Sequence, residues 1–146
     1  MGEPVEMTVE ECVTLLRRGV VGRVALSTPM GPRIVPVNYT AGEDFVVFRT
    51  TPYSELGTYG WNADLAFEID SLDYESRQGW SVVAIGRAEQ VQDPDEVGRI
   101  RAQSDPSPWV GGRRHLYIRL RWRDVSGRRL GPASPAEDEV PVRRVL

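Results

Sequence analysis

Lysine is absent from this 146-residue chain, whose 18 basic residues are all arginine. That excludes lysine Schiff-base chemistry, covalent pyridoxal phosphate attachment included, and any phosphate loop built on lysine. Cys12 is the only cysteine, so no disulfide can close within the chain and no thiolate metal cluster can assemble. His115 is the only histidine. The common zinc and iron ligand sets are thereby left short of nitrogen donors, and His115 reads as a structural or surface residue. No apolar run is long enough to span a bilayer, and residues 1–7 lack the basic-then-apolar pattern of a signal peptide. No membrane partner is expected, and the expected location is cytoplasmic.

What is present fits one domain with a single core: 40% of residues are hydrophobic and 27% charged. The net charge of −3 argues against general affinity for nucleic acid. Arginines nevertheless crowd one region, at 113, 114, 119, 121, 123, 128 and 129. The alternation from Leu116 to Arg123 puts Leu116, Ile118, Leu120 and Trp122 on one strand face and Tyr117 with Arg119, Arg121 and Arg123 on the other. A solvated face salt-bridged to the chain's many carboxylates accounts for it without a nucleic-acid partner.

The chain opens with a helix. Thr8 and Glu11 form a capping box, and Val9, Cys12, Val13, Leu15 and Leu16 recur at helical spacing until Gly19. Two strands at 22–27 and 33–39 flank Pro29-Met30-Gly31-Pro32 and read as a hairpin. A third strand covers 44–50, a weak helix 54–59, and a fourth strand 65–69, with a polar loop from Asp70 to Gly79. The segment 80–91 is too long for a flat strand, and Gly86 marks a bulge or corner. Asp93-Pro94 starts a second full helix running to about Gln103. After a loop at 104–112, two more strands are predicted at 116–123 and 124–130. Residues 1–130 form the domain, and the proline-rich acidic stretch 131–146 reads as a tail or an arm on a neighbour. Six to seven strands in successive hairpins with two helices predict a mainly β, antiparallel barrel.

The stretch from Asp44 to Leu56 carries the chemistry. Phe45-Val46-Val47-Phe48 suits a strand covered on both faces, and Arg49 at its exit offers a fork of donors to an anion. With the hydroxyls of Thr50, Thr51 and Ser54 and a helix opening near Ser54, this would make a phosphate cradle. The alternative for Arg49 is a barrel-edge arginine paired to Glu68 or Asp70. Trp80 is equally at home in a core. Asn38 could equally satisfy backbone at a strand end.

Residues 20–25, 34–39, 47–50, 67–70, 79–83 and 86–89, in that order, resemble the pyridoxamine 5′-phosphate oxidase-like family. More narrowly they are similar to its actinobacterial flavin-nucleotide-binding branch and to nitroimidazole-resistance proteins. The resemblance implies a split β-barrel that binds FMN as a homodimer, with two flavins in clefts between subunits. By position, Arg49 and Thr50 would hold the phosphate and Ser54 would sit beside it. Val35, Pro36, Val37 and Asn38 would lie along the ribityl chain and ring. Trp80, Ser81 and Val82 would approach the isoalloxazine, and Trp109 and Arg113 would come from the partner subunit.

One departure stands out. The position after Ser54, commonly lysine in the family, is Glu55, and a like-charge contact at about 4 Å costs on the order of 4 kcal/mol at an effective dielectric near 20. The resemblance implies a small FMN-dependent oxidoreductase whose substrate and electron donor the sequence does not assign. Pyridoxamine phosphate oxidation itself is not expected, because the family's substrate-phosphate residues are not found. No acid, base or nucleophile stands out; Tyr39, Tyr53, Tyr59 and Ser81 are the local candidates. The other readings are an F420-dependent reductase, a flavin or haem carrier or sensor, and a barrel that lost its cofactor and serves as an interaction module.

Overall fold

A computed structural model describes residues 3–104 and 116–131. Residues 105–115, which include Trp109, Arg113 and His115, and residues from 132 onward lie outside the described residues. A short strand β1 (Val5–Glu6) leads into α1 (Val9–Arg18), then β2 (Val21–Thr28), β3 (Gly31–Ala41), β4 (Phe45–Thr50), α2 (Glu55–Tyr59), β5 (Ala63–Asp73), β6 (Gln78–Val91), α3 (Pro94–Ser104) and β7 (Leu116–Leu130). The strands run in the order β1-β7-β4-β3-β2-β5-β6, and β6 also pairs with β7. All pairings are antiparallel, so β2 to β7 close into a six-stranded barrel and β1 is an added edge.

Local chemistry explains the boundaries. Thr8 Oγ1 accepts the Glu11 N–H at 3.2 Å while the Thr8 N–H donates to Glu11 Oε2 at 2.9 Å, which satisfies two amides at the start of α1. The helix buries Cys12, Leu15 and Leu16 against the barrel, and the Tyr39 hydroxyl donates to the Leu16 carbonyl at 2.7 Å. Burial pushes the Tyr39 ionisation far above its ordinary value.

The barrel interior holds Val24, Val46, Phe48, Phe67, Val82, Ile118 and Leu120. Val47, on the opposite face of β4, packs with Val91 and Tyr117 beneath Val97 and Ile100 of α3. The apolar run 45–48 is therefore covered on both sides. Among the described residues no helix is long and apolar enough to cross a membrane.

Two elements differ from the sequence reading. The polar stretch 70–79 is mostly strand: β5 runs to Asp73 and β6 starts at Gln78, joined by a tight turn in which Asp73 Oδ1 accepts the N–H groups of Glu75 and Ser76. Four turn residues suffice to reverse the chain, and polar residues suit the solvated faces of a projecting hairpin. The expected pair 116–123 and 124–130 is one 15-residue strand. Ile85 pairs with Asp124 but Gly86 with Trp122, so Arg123 is the extra residue of a bulge, opposite the corner expected at Gly86. A Cβ at Gly86 would collide with the Arg121 carbonyl, which is why glycine stands there. The weak helix expected at 54–59 is present as Glu55–Tyr59 with Ser54 as its cap, making three helices among the described residues.

Candidate functional site

The end of β4 and the start of α2 form one hydrogen-bonded unit. Thr50, only 3% exposed, places its hydroxyl 2.7 Å from Ser54 Oγ. Ser54 caps α2: its oxygen accepts the Gly57 N–H at 2.9 Å and its proton goes to the Thr51 carbonyl at 2.8 Å. That leaves Thr50 as donor in the hydroxyl pair, so both hydroxyl protons are used within the protein. Gly57 is required by close approach, because a Cβ there would collide with the Thr51 carbonyl. A phosphate at this corner would draw its charge from arginine and its hydroxyl contacts only by exchange.

Arg49 does not point with Thr50. Successive strand residues face opposite sides, and Arg49 lies outside the barrel with its guanidinium 5.2 Å from the ring centre of Tyr117. Arg101 of α3 stacks on the same ring at 5.6 Å and donates from Nε to the Tyr117 hydroxyl at 2.9 Å. The two carboxylates that the sequence offered to Arg49, Glu68 and Asp70, are engaged on another strand. Both carboxylates pair with Arg23, whose Nη2 lies 2.5 Å from Glu68 Oε1 and 2.6 Å from Asp70 Oδ2. Burial, and then the neighbouring Asp70, push the Glu68 carboxyl above its usual range.

Glu55 turns to β3, where its Oε2 lies 3.3 Å from Arg33 Nε. The out-of-pattern charge is thus matched by an arginine of the same chain.

The remaining expected contacts divide between the two sheet faces. Val35 packs on the core, Val37 is buried, and Val82 is fully buried in the interior, so these reach an outer ligand through backbone only. Pro36 is exposed opposite Arg23, and Asn38 pairs with Val21 at the start of β2. Ser81 sits between Asp70 and Arg128 in the register, while Trp80 packs partly against the core. Asn38 and Ser81 share the outer face three strand spacings apart, roughly 14 Å. Between them lies the Arg23, Glu68 and Asp70 cluster, which the sequence reading did not assemble. Its sequence signal was partial: carboxylates at i and i+2 share a strand face, while the arginine that lies opposite is identified only by the β2–β5 pairing.

Among the candidate reactive groups, Tyr39 is a core residue and Tyr53 is 97% exposed. Trp109 and Arg113 fall outside the described residues.

The pyridoxamine 5′-phosphate oxidase family model matches residues 8–129. The chain is 33% identical over 133 residues to the uncharacterized protein Rv0080 of Mycobacterium tuberculosis, covering 88% of this chain and 86% of that one. In structure it is similar to a FAD binding protein from Mycobacterium smegmatis, at 27% identity and a TM-score of 0.72, covering 85% of this chain and 96% of the other. A FAD and heme binding protein from the same organism shares the fold at 18% identity and a TM-score of 0.68, over 91% of this chain and 78% of that one.

Proposed function

The chain belongs to the pyridoxamine 5′-phosphate oxidase family, and from that premise we propose that it is a flavin-binding protein, with FMN as cofactor and a small oxidoreductase activity. The observation that carries the reading is the Arg33–Glu55 contact. It pairs the out-of-pattern carboxylate with an arginine next to the Thr50–Ser54 corner, so the position where the family commonly has a lysine does not carry an unmatched negative charge. Arg49 supplies the second cation. The similarity to a FAD binding protein supports the flavin class.

In this reading the flavin phosphate lies on the outer side of the exit of β4, between Arg49 and Arg33, while the hydrogen-bonded Thr50 and Ser54 hydroxyls brace the turn behind it. The ring runs along Val35 to Asn38 toward the backbone of Trp80 to Val82. The flavin supplies the hydride or electron transfer; the chain's own residues hold the phosphate, orient the ring and exclude water from one of its faces.

A homodimer is part of the proposal. Ile34, Ala25, Ala66 and Ile85 form one row across four strands on the outer face, and Ile34 is 72% exposed. A second copy would cover that row and bring its own residues to the cleft.

The test is absorption of the purified protein after incubation with FMN, FAD, F420 or haem and removal of free ligand. A bound two-band flavin spectrum at one flavin per chain supports the reading. Retention of F420 or haem alone would replace the cofactor, and retention of none would make the barrel an interaction module.

A further inference from the structure

A cavity of about 480 Å³ opens between the tip of the β5–β6 hairpin and the ends of β1 and β7. That volume falls within the range of about 300–1,000 Å³ usual for small-molecule sites. Its walls are largely apolar, from Leu72, Trp80 and Leu130, and Tyr74 stands at the mouth. Leu72 and Tyr74 are 56% and 86% exposed, a concentration of bare apolar surface on one hairpin.

The rim is cationic. Arg77 and Arg128 line the cavity and form no ion pair among the described residues, whereas Arg23, Arg33, Arg119, Arg121 and Arg123 all meet carboxylates. Arg129 lines it too. The one acid in the lining, Asp73, holds the hairpin turn by accepting from the Ser76 amide and hydroxyl and from the Glu75 amide, which keep its carboxyl below its usual range. Its charge is committed to the turn. Arg77 is fixed in that turn by a left-handed backbone, with φ of 56°.

We propose that this cavity binds a small organic anion with an apolar body, an aliphatic or aromatic carboxylate, its body against Leu72, Trp80 and Leu130 and its charge between Arg77 and Arg128. Carboxylate and guanidinium match in geometry, and the apolar walls favour a body that water does not. The cavity shares Trp80 and Ser81 with the proposed flavin contacts, but its two arginines, Arg77 and Arg128, are not among them, so their variants separate the two readings.

The experiment titrates the full chain with the fluorescent probe anilinonaphthalene sulfonate and displaces it with decanoate or uncharged decanol. Saturable binding of one probe per chain is expected, with decanoate displacing it at a concentration at least about tenfold lower than decanol. In the Arg77→Ala/Arg128→Ala variant that preference should disappear while decanol is unaffected, with the fold checked by circular dichroism. In Leu72→Glu, probe binding itself should fall at least about tenfold. Unsaturable binding, equal displacement by the alcohol, or a preference that survives loss of both arginines would overturn the proposal. Flavin retention is measured separately by absorption, so failure of one idea leaves the other standing.

Discussion

Glu55 Oε2 and Arg33 Nε lie 3.3 Å apart across the corner between α2 and β3. An exposed pair of this kind contributes at most about 1 kcal/mol to stability. Its larger effect is on where the charge of Glu55 goes.

Arg33→Ala should therefore weaken FMN binding by at least about tenfold, because it removes a cation and releases the carboxylate. Adding Glu55→Gln to that variant should recover much of the loss. Flavin fluorescence titrations of the four proteins in the cycle measure this, and additive effects would mean that the pair has no part in the ligand's field.

Arg49→Ala separates a binding arginine from a packing one. A charged hydrogen bond to phosphate is worth about 1.5 to 3 kcal/mol. The cation–π contact with the buried Tyr117 ring contributes about 0.5 to 2 kcal/mol. The expected result is a large loss of flavin affinity with a small loss of melting temperature. The reverse pattern would assign Arg49 to the Tyr117 stack alone.

The barrel was legible where local rules agree. The Thr8–Glu11 box, the hairpin around Pro29 and Met30, and the corner at Gly86 each carry their own chemistry in two or three residues. The hairpin extension to Asp73 was not, because Asp70, Asp73 and Gln78 are polar and only pairing across the turn makes them strand. The candidate site was half legible for a similar reason. Arg49, Thr50 and Ser54 are adjacent in sequence, but the pleat sends Arg49 to one face and Thr50 to the other. Which carboxylate meets which arginine depends on strand neighbours, so Glu68 and Asp70 could be matched to Arg23 only once β2 was seen to pair with β5.

Tyr39 ties stability to alkaline pH. Its ionisation is raised by burial, so near and above the unfolded value of about 10 the unfolded chain releases a proton that the folded chain keeps. Stability should fall as pH rises through that range. Tyr39→Phe should lose about 0.5 to 1.5 kcal/mol at neutral pH with the Leu16 hydrogen bond, and show a shallower alkaline decline. Denaturant unfolding at a series of pH values reads both; an unchanged alkaline slope would point to another group.

Arg23→Ala leaves Glu68 and Asp70 side by side and only a quarter to a third exposed. The variant should melt below the parent at neutral pH, and the gap should narrow on acidification, since protonating Glu68, whose carboxyl burial and Asp70 already raise, removes the repulsion. Thermal unfolding at neutral and mildly acidic pH provides the comparison. A gap independent of pH would mean that the loss comes from packing of the arginine stem.

The bulge at Arg123 also resets the phase of β7. Before it the inward positions are even, Leu116, Ile118 and Leu120; after it they are odd, Val125 and Gly127. Apart from Tyr117, which is buried beneath α3, a charge walked residue by residue along this strand would meet intolerance with one parity up to the bulge and the opposite parity beyond it. One extra residue lets a single continuous strand obey two incompatible alternations, and the hydrophobic map of β7 changes register where the barrel turns its corner.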